Sequence, residues 1–246
     1  MLPFQIKICG VTSVKDALDV CQSHADAIGL NFYSPSSRFV SDTLAKEIVD
    51  AVREFDSSAE RQAAKIQPMR IVGVFVNMPL AGIAACAKTV GLDGIQLHGD
   101  EVPENLGELR SLLKSADHDD LPSGIIRAIR TKPADAASDN EVARINTEIK
   151  LWSDARISSV LLDAAVPGEF GGTGKVVDWH AVPKLDCDIP LVLAGGLRPE
   201  NVRVAIDLAK VLSVDVASGV EDSPGVKDPA KVKLFSNEAF SKLNQT

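Results

Sequence analysis

Eight times along the chain an apolar run of strand character is followed by a stretch of helical character. The strand-like runs lie near 4–9, 27–32, 70–76, 94–98, 124–130, 159–164, 189–195 and 213–217. The helix-like stretches lie near 13–23, 41–55, 79–90, 103–114, 139–153, 199–209 and 228–243, with a short one near 178–184. Strict alternation argues for a parallel sheet, and runs rich in Val, Ile and Leu suit strands buried between helices. Eight units favour a closed barrel. An open doubly wound sheet would carry a G-x-G-x-x-G turn after its first strand, and Cys9-Gly10-Val11-Thr12 is not one. The expected fold is therefore α/β, a single (β/α)8 TIM barrel with a parallel eight-stranded sheet, formed by 1–246 as one domain. A length of 246 residues is ordinary for that fold. Ser13 and Ser41 suit helix N-caps, and Pro79, Pro199 and Pro229 suit first turns.

Composition narrows the partners. A formal net charge of −8 argues against nucleic acid or an anionic membrane surface as the main partner. No apolar run approaches the ~20 residues of a membrane span. The first strand pattern begins almost at once, leaving no room for a signal peptide. A soluble, cytoplasmic protein is the expectation, as monomer or homo-oligomer. Cys9, Cys21, Cys86 and Cys187 form no C-x-x-C pair, so neither a zinc site nor a redox pair is signalled. Cys21 and Cys86 fall in helical patterns and read as small core residues. The stretches 57–67 and 114–123 read as surface insertions. The Asp117-His118-Asp119-Asp120 run in the second reads as an exposed acidic loop rather than a metal site.

The residues that end the strand patterns are unusual ones. Cys9-Gly10, His98-Gly99, Asp163-Ala164, Gly195-Gly196 and Ser218-Gly219 all stand at the same end of successive strands. In a parallel barrel those ends form one rim, where such enzymes keep their active sites. Side chains alternate across a strand. Cys9 therefore shares a face with Lys7, Asp163 with Leu161, and His98 with Gln96. The apolar sets Ile6 with Ile8 and Val160 with Leu162 should meet the helices, which turns Lys7, Cys9 and Asp163 inward. A buried lysine beside Cys9 would favour the thiolate, the form that acts as base or nucleophile. On position alone Cys9 is equally a small core residue. Asp163 is either a catalytic carboxylate or the ion partner of an interior lysine such as Lys7. His98 reads first as a hydrogen-bonding residue.

Gly195-Gly196 followed by Pro199 and a helix suits a phosphate, because the backbone can approach and a helix N-terminus supplies amides. Ser218-Gly219 is the second half of that cradle, at the usual phosphate position of these barrels. Gly171-Gly172-Thr173-Gly174-Lys175 lacks the G-x-x-x-x-G-K-[ST] spacing and reads as a mobile active-site loop rather than a nucleotide site. Arg38, after Ser34-Pro35-Ser36-Ser37, could grip a carboxylate bidentately, though a solvated loop arginine has the same sequence signature.

Together these segments resemble the phosphoribosylanthranilate isomerase family. The stretches that carry the resemblance are Lys7-Ile8-Cys9-Gly10, 34–38, Val74-Phe75-Val76-Asn77, Gln96-Leu97-His98-Gly99, Leu161-Leu162-Asp163, 171–175 with Asp178-Trp179, Ala194-Gly195-Gly196-Leu197, and 214–221. The resemblance implies a (β/α)8 barrel that needs neither metal nor cofactor. It implies an Amadori rearrangement of N-(5'-phosphoribosyl)anthranilate, a small-molecule substrate, to 1-(2-carboxyphenylamino)-1-deoxyribulose 5-phosphate, in tryptophan biosynthesis. By the family pattern Cys9 is the general base, Asp163 the general acid and Arg38 the holder of the anthranilate carboxylate. Lys7, Gln96 and His98 then fall among the substrate-binding residues, and Gly195, Gly196, Asp215, Ala217, Ser218 and Gly219 among those at the phosphate. The 34–38 loop carries an extra serine relative to the usual Ser-Pro-Arg form, and Ala217 stands where the family often has serine.

Other readings differ in what they need. A ribulose-phosphate epimerase would want metal-ligating histidines and aspartates at strand ends, and only His98 is so placed. An indoleglycerol-phosphate synthase would want a lysine acid and glutamates there. A non-catalytic phosphosugar-binding barrel has no need of a thiol in its mouth.

Overall fold

The computed structural model describes residues 3–59, 61, 67–114, 124–132, 139–164 and 177–245. Its strands are β1 Ile6–Cys9, β2 Ala27–Asn31, β3 Arg70–Phe75, β4 Gly94–Leu97, β5 Gly124–Thr131, β6 Ser159–Ala164, β7 Leu191–Leu193 and β8 Val214–Val216. They pair in sequence order and close through β1 and β8, all parallel. The α-helices are α1 Val14–Cys21, α2 Asp42–Asp56, α3 Leu80–Val90, α4 Leu106–Lys114, α5 Asp139–Asp154, α6 Val202–Ala209 and α7 Pro229–Leu243. The expected (β/α)8 barrel is the observed architecture. Among the described residues no helix is long and apolar enough to cross a membrane.

Strand alternation builds two cores. Ile6, Ile8, Val160 and Leu162 face outward into the layer between strands and helices, all buried. Burying each such side chain contributes about 1.5–3 kcal/mol, and truncating Ile8 to alanine would cost roughly 2–5 kcal/mol. Inside the barrel, Phe4, Ala27, Val72, Ile126, Leu161 and Val192 belong to a second apolar cluster. Lys7, with no exposed area, stands beside this cluster, its Nζ 5.6 Å from the Phe4 ring centroid.

Local signals explain the helix starts. The Ser13 hydroxyl accepts from Asp16 N at 3.0 Å, and that of Ser41 from Leu44 N at 3.3 Å. Pro229 opens α7 after the Asp228 cap. Pro79 is itself the N-cap of α3, one position earlier than expected. The helix expected over 199–209 begins only at Val202, because Asn201 holds the preceding turn. Its Oδ1 accepts from Arg198 N at 2.8 Å, and its Nδ2 donates to Gly196 O at 3.0 Å. The stretch 178–184 forms turns ending in a short 3-10 helix, Val182–Lys184, not an α-helix.

The strand expected over 189–195 shortens to Leu191–Leu193. Pro190 has no N–H to extend its start, and Gly195 turns the chain at φ 75°. After β8 the chain also makes an unexpected hairpin, β9 Glu221–Ser223 with β10 Val226–Lys227. Pro224 and Gly225 (φ 86°) form its turn. In the 57–67 insertion, Arg61 donates back to Cys21 O at 3.2 Å. The Asp117 to Asp120 run and 171–175 lie outside the described residues.

Candidate active site

The pocket at the C-terminal mouth of the barrel is lined by Cys9, Arg38, His98 and Asp163, and by the turns at Gly195-Gly196 and Ala217-Ser218-Gly219. Residues scattered over the sequence meet because each ends a strand of one closed sheet or lies in the loop that follows one.

Lys7 and Cys9 point inward as the alternation requires. Room for them comes from Gly29 on the neighbouring strand, where a Cβ would stand 2.7 Å from Cys9 Sγ and 3.0 Å from Lys7 Cε. The ion partner of Lys7 is Asp215, with Nζ 2.7 Å from Oδ2, and not Asp163. Burial opposes the Lys7 charge, but Asp215 and then Cys9 outweigh it and hold the ammonium above its usual proton affinity. The thiol behaves otherwise than the sequence suggests. Burial pushes Cys9 up, Lys7 pulls it down, Asp215 pushes it up again, and the net direction is up from 9.0. The charge of Lys7 is shared with a carboxylate, so it does not hold a resting thiolate. Asp215, expected among the phosphate residues, lines the same pocket as the two glycine turns, with its carboxylate paired to Lys7.

Across the mouth, Gln96, His98 and Asp163 form a line. Gln96 Nε2 lies 3.0 Å from His98 Nδ1, and His98 Nε2 lies 3.3 Å from Asp163 Oδ2. An amide nitrogen can only donate, so Nδ1 accepts and the proton of a neutral imidazole sits on Nε2, facing the carboxylate. Gln96 and His98 both line the pocket, as expected of substrate-binding residues; Gln96 pairs with His98, and His98 stands next to Asp163 without a formed hydrogen bond to it. Thr131 Oγ1 donates to Asp163 O at 3.3 Å and fixes the strand end.

Arg38 reaches the pocket by crossing the end of β1. A Cβ at Gly10, where φ is 72°, would stand 2.4 Å from Arg38 Cδ, so this crossing requires glycine. Ser36 shapes the loop: its Oγ accepts from Asn31 Nδ2 at 3.2 Å and from Arg38 N at 3.1 Å. Arg38 is not a solvated loop arginine. Its Nε and Nη2 donate to the two carboxylate oxygens of Glu221 at 2.8 and 2.7 Å.

Glu221 in turn accepts from Lys227 Nζ at 2.8 Å. Burial alone would raise the Glu221 proton affinity, but Arg38 and Lys227 hold it below the usual range. Glu221 and Lys227 escaped the sequence reading because they lie past the last barrel strand, where alternation gives no facing. The Pro224-Gly225 turn between them was the one signal of a hairpin.

The two glycine turns interlock. A Cβ at Gly195 would stand 2.6 Å from Ala164 N, and one at Gly219 only 1.9 Å from Leu197 O. Gly195 and Gly196 both take positive φ, 75° and 65°, which glycine alone adopts without strain. Because α6 starts at Val202, its N-terminus is not the immediate continuation of the Gly195-Gly196 turn. Backbone at the two turns is what the pocket presents there. Among the described residues no group of three or more His, Cys, Asp or Glu side chains is placed to hold a metal ion.

A parallel barrel with a thiol, a carboxylate and a half-buried arginine at one pocket, and two backbone turns after strands β7 and β8, defines a barrel enzyme with its site at the C-terminal ends of the strands. The family model for N-(5'phosphoribosyl)anthranilate (PRA) isomerase matches residues 6–238, and the chain belongs to that family. It is 39% identical over 239 residues to N-(5'-phosphoribosyl)anthranilate isomerase of Pseudomonas aeruginosa strain LESB58, covering 97% of this chain and 96% of that one. The crystal structure of phosphoribosyl anthranilate isomerase from Thermotoga maritima superposes with a TM-score of 0.70 at 31% identity, covering 98% of this chain and all of the other. A structure of such an isomerase in complex with reduced 1-(o-carboxyphenylamino)-1-deoxyribulose 5-phosphate gives 0.67 at 30% identity, with the same coverage.

Proposed function

We propose that this chain isomerises N-(5'-phosphoribosyl)anthranilate to 1-(2-carboxyphenylamino)-1-deoxyribulose 5-phosphate, as a cytoplasmic enzyme of tryptophan biosynthesis. The observation that carries the reading is the presence of Cys9, Asp163, Arg38 and both glycine turns in one pocket. Family membership supports the same substrate.

In this reading Asp163 gives a proton to the furanose oxygen as the C1–O bond breaks. The anthranilate nitrogen lone pair forms the C=N bond, and the sugar opens. Cys9, in the minor fraction that has lost its thiol proton to solvent, then removes the proton from C2, and the electrons of that C–H bond form C1=C2 as the C=N pair returns to nitrogen. The resulting enolamine tautomerises to the ketone. Acid and base work differ in the proton affinity they require, and a carboxyl and a thiol divide them. Arg38 receives the anthranilate carboxylate, while Gly195, Gly196, Ala217, Ser218 and Gly219 offer backbone to the phosphate.

The direct test is turnover of N-(5'-phosphoribosyl)anthranilate, followed by loss of its fluorescence. A protein that binds the product analogue but leaves the fluorescence unchanged would be a phosphosugar-binding barrel instead.

A further inference from the structure

Arg38 poses an electrostatic problem. It lies in a bidentate pair with Glu221, its side chain 13% exposed and that of Glu221 5%. Such a pair has no net charge, and a neutral pair is a poor receptor for a second carboxylate. The reading of Arg38 as the carboxylate holder therefore needs another source of positive charge.

Lys227 supplies it. Its side chain is 1% exposed, and its Nζ reaches Cys9 O at 2.6 Å, Ala217 O at 3.2 Å and Glu221 Oε1 at 2.8 Å. All three neighbours are acceptors. An ammonium has three N–H groups to give them, whereas a neutral amine would turn its lone pair on a carbonyl oxygen. Burial lowers the Lys227 proton affinity, and Glu221 offsets that only in part; three acceptors around Nζ are the shell that a charged amine satisfies. Arg38, Glu221 and Lys227 together then carry one net positive charge. Arg38 also keeps Nη1 uncommitted among the described residues.

The same lysine joins three parts of the site. It holds the backbone of Cys9, the backbone of Ala217 beside the phosphate turn, and Glu221. Thr12 Oγ1 donates to Gly225 O at 2.5 Å, which ties the hairpin to the loop after β1.

We infer that Lys227, a positioning residue outside the reacting atoms, is what leaves the Arg38–Glu221 pair able to receive the substrate's carboxylate. This rests on the proposed function, in which Arg38 holds that group. The prediction concerns selectivity, not affinity alone. Two probes measure it: reduced 1-(2-carboxyphenylamino)-1-deoxyribulose 5-phosphate, and the same compound without its ring carboxyl. The ratio of their dissociation constants is the contribution of the carboxylate.

Lys227→Met should cut that ratio roughly 10-fold or more, the scale of a hydrogen bond between charged groups. The double variant Glu221→Gln/Lys227→Met returns the cluster to one positive charge and should restore the ratio to within a few-fold of the native value. Glu221→Gln alone should leave it at least as large as native. If Lys227→Met gives no cooperative thermal melt, the other two variants still decide. Equal weakening of both probes by Lys227→Met, a double variant with no selectivity, or a ratio below native in Glu221→Gln would overturn the inference. Arg38→Met separates the two levels. A selectivity it leaves intact removes the carboxylate-holder reading and this inference with it. A selectivity lost with Arg38 but indifferent to Lys227 removes the inference alone.

Discussion

Lys7 and Asp215 form an ion pair of 2.7 Å on adjacent strands β1 and β8, below Cys9 and almost wholly shut off from solvent. Removing one member of such a pair strands the other, at a cost of about 3–5 kcal/mol. Lys7→Met should therefore lower the melting temperature sharply. Lys7→Met/Asp215→Asn should recover much of the loss. A single variant as stable as the native protein, measured by thermal melting, would show that the pair contributes nothing to holding the barrel interior.

Cys9 should titrate above the usual thiol range, since burial outweighs the opposing pull of Lys7. The thiolate fraction then grows with pH through and beyond 9.0. Peptide-resolved alkylation of Cys9 by iodoacetamide should keep accelerating up to at least that pH. A rate that levels off near neutrality would mean that Lys7 wins over burial.

His98 faces Asp163 through Nε2, with Gln96 fixing the tautomer from the other side. His98→Asn keeps a polar group there but loses the oriented donor. We expect kcat to fall roughly 10- to 100-fold, below the usual range for a group that itself transfers the proton, with KM changed much less. An unchanged kcat with a raised KM would return His98 to a simple substrate-binding role.

Gly219→Ala forces a Cβ to within 1.9 Å of Leu197 O, a backbone atom that cannot swing aside. The two turns must separate. Overpacking of this kind costs about 1–3 kcal/mol, and the strain falls on the backbone proposed to meet the phosphate. Titration of the reduced product analogue by calorimetry should show weaker binding than native. Native affinity would place the phosphate elsewhere.

The barrel was legible because its signal is periodic: an apolar run followed by a helical stretch recurs eight times, and Ser13 and Ser41 cap the helices expected of them. Alternation also assigned the facing of Lys7, Cys9 and Asp163, and put Gln96 and His98 on one face of their strand. Partner choice was not legible. Nothing in the sequence says that Lys7 meets Asp215 rather than Asp163, because that depends on how strands β1 and β8 register when the barrel closes. The Glu221–Lys227 hairpin was hidden for a related reason. Its residues act after the last barrel strand, where neither period applies, and Arg38 lies more than 180 positions earlier in the chain.

The central claim is that Cys9 and Asp163 divide the proton transfers. Its most direct test is turnover of N-(5'-phosphoribosyl)anthranilate by Cys9→Ala and Asp163→Ala, each measured per folded molecule and beside its thermal melt. The account predicts a loss of roughly 10²- to 10⁴-fold for each, affinity for the reduced product analogue nearly intact, and a double variant little worse than the singles because both groups serve one reaction sequence. An Asp163→Ala protein that melts early while its folded fraction turns over at the native rate would contradict it, and would make the carboxylate a structural partner of His98.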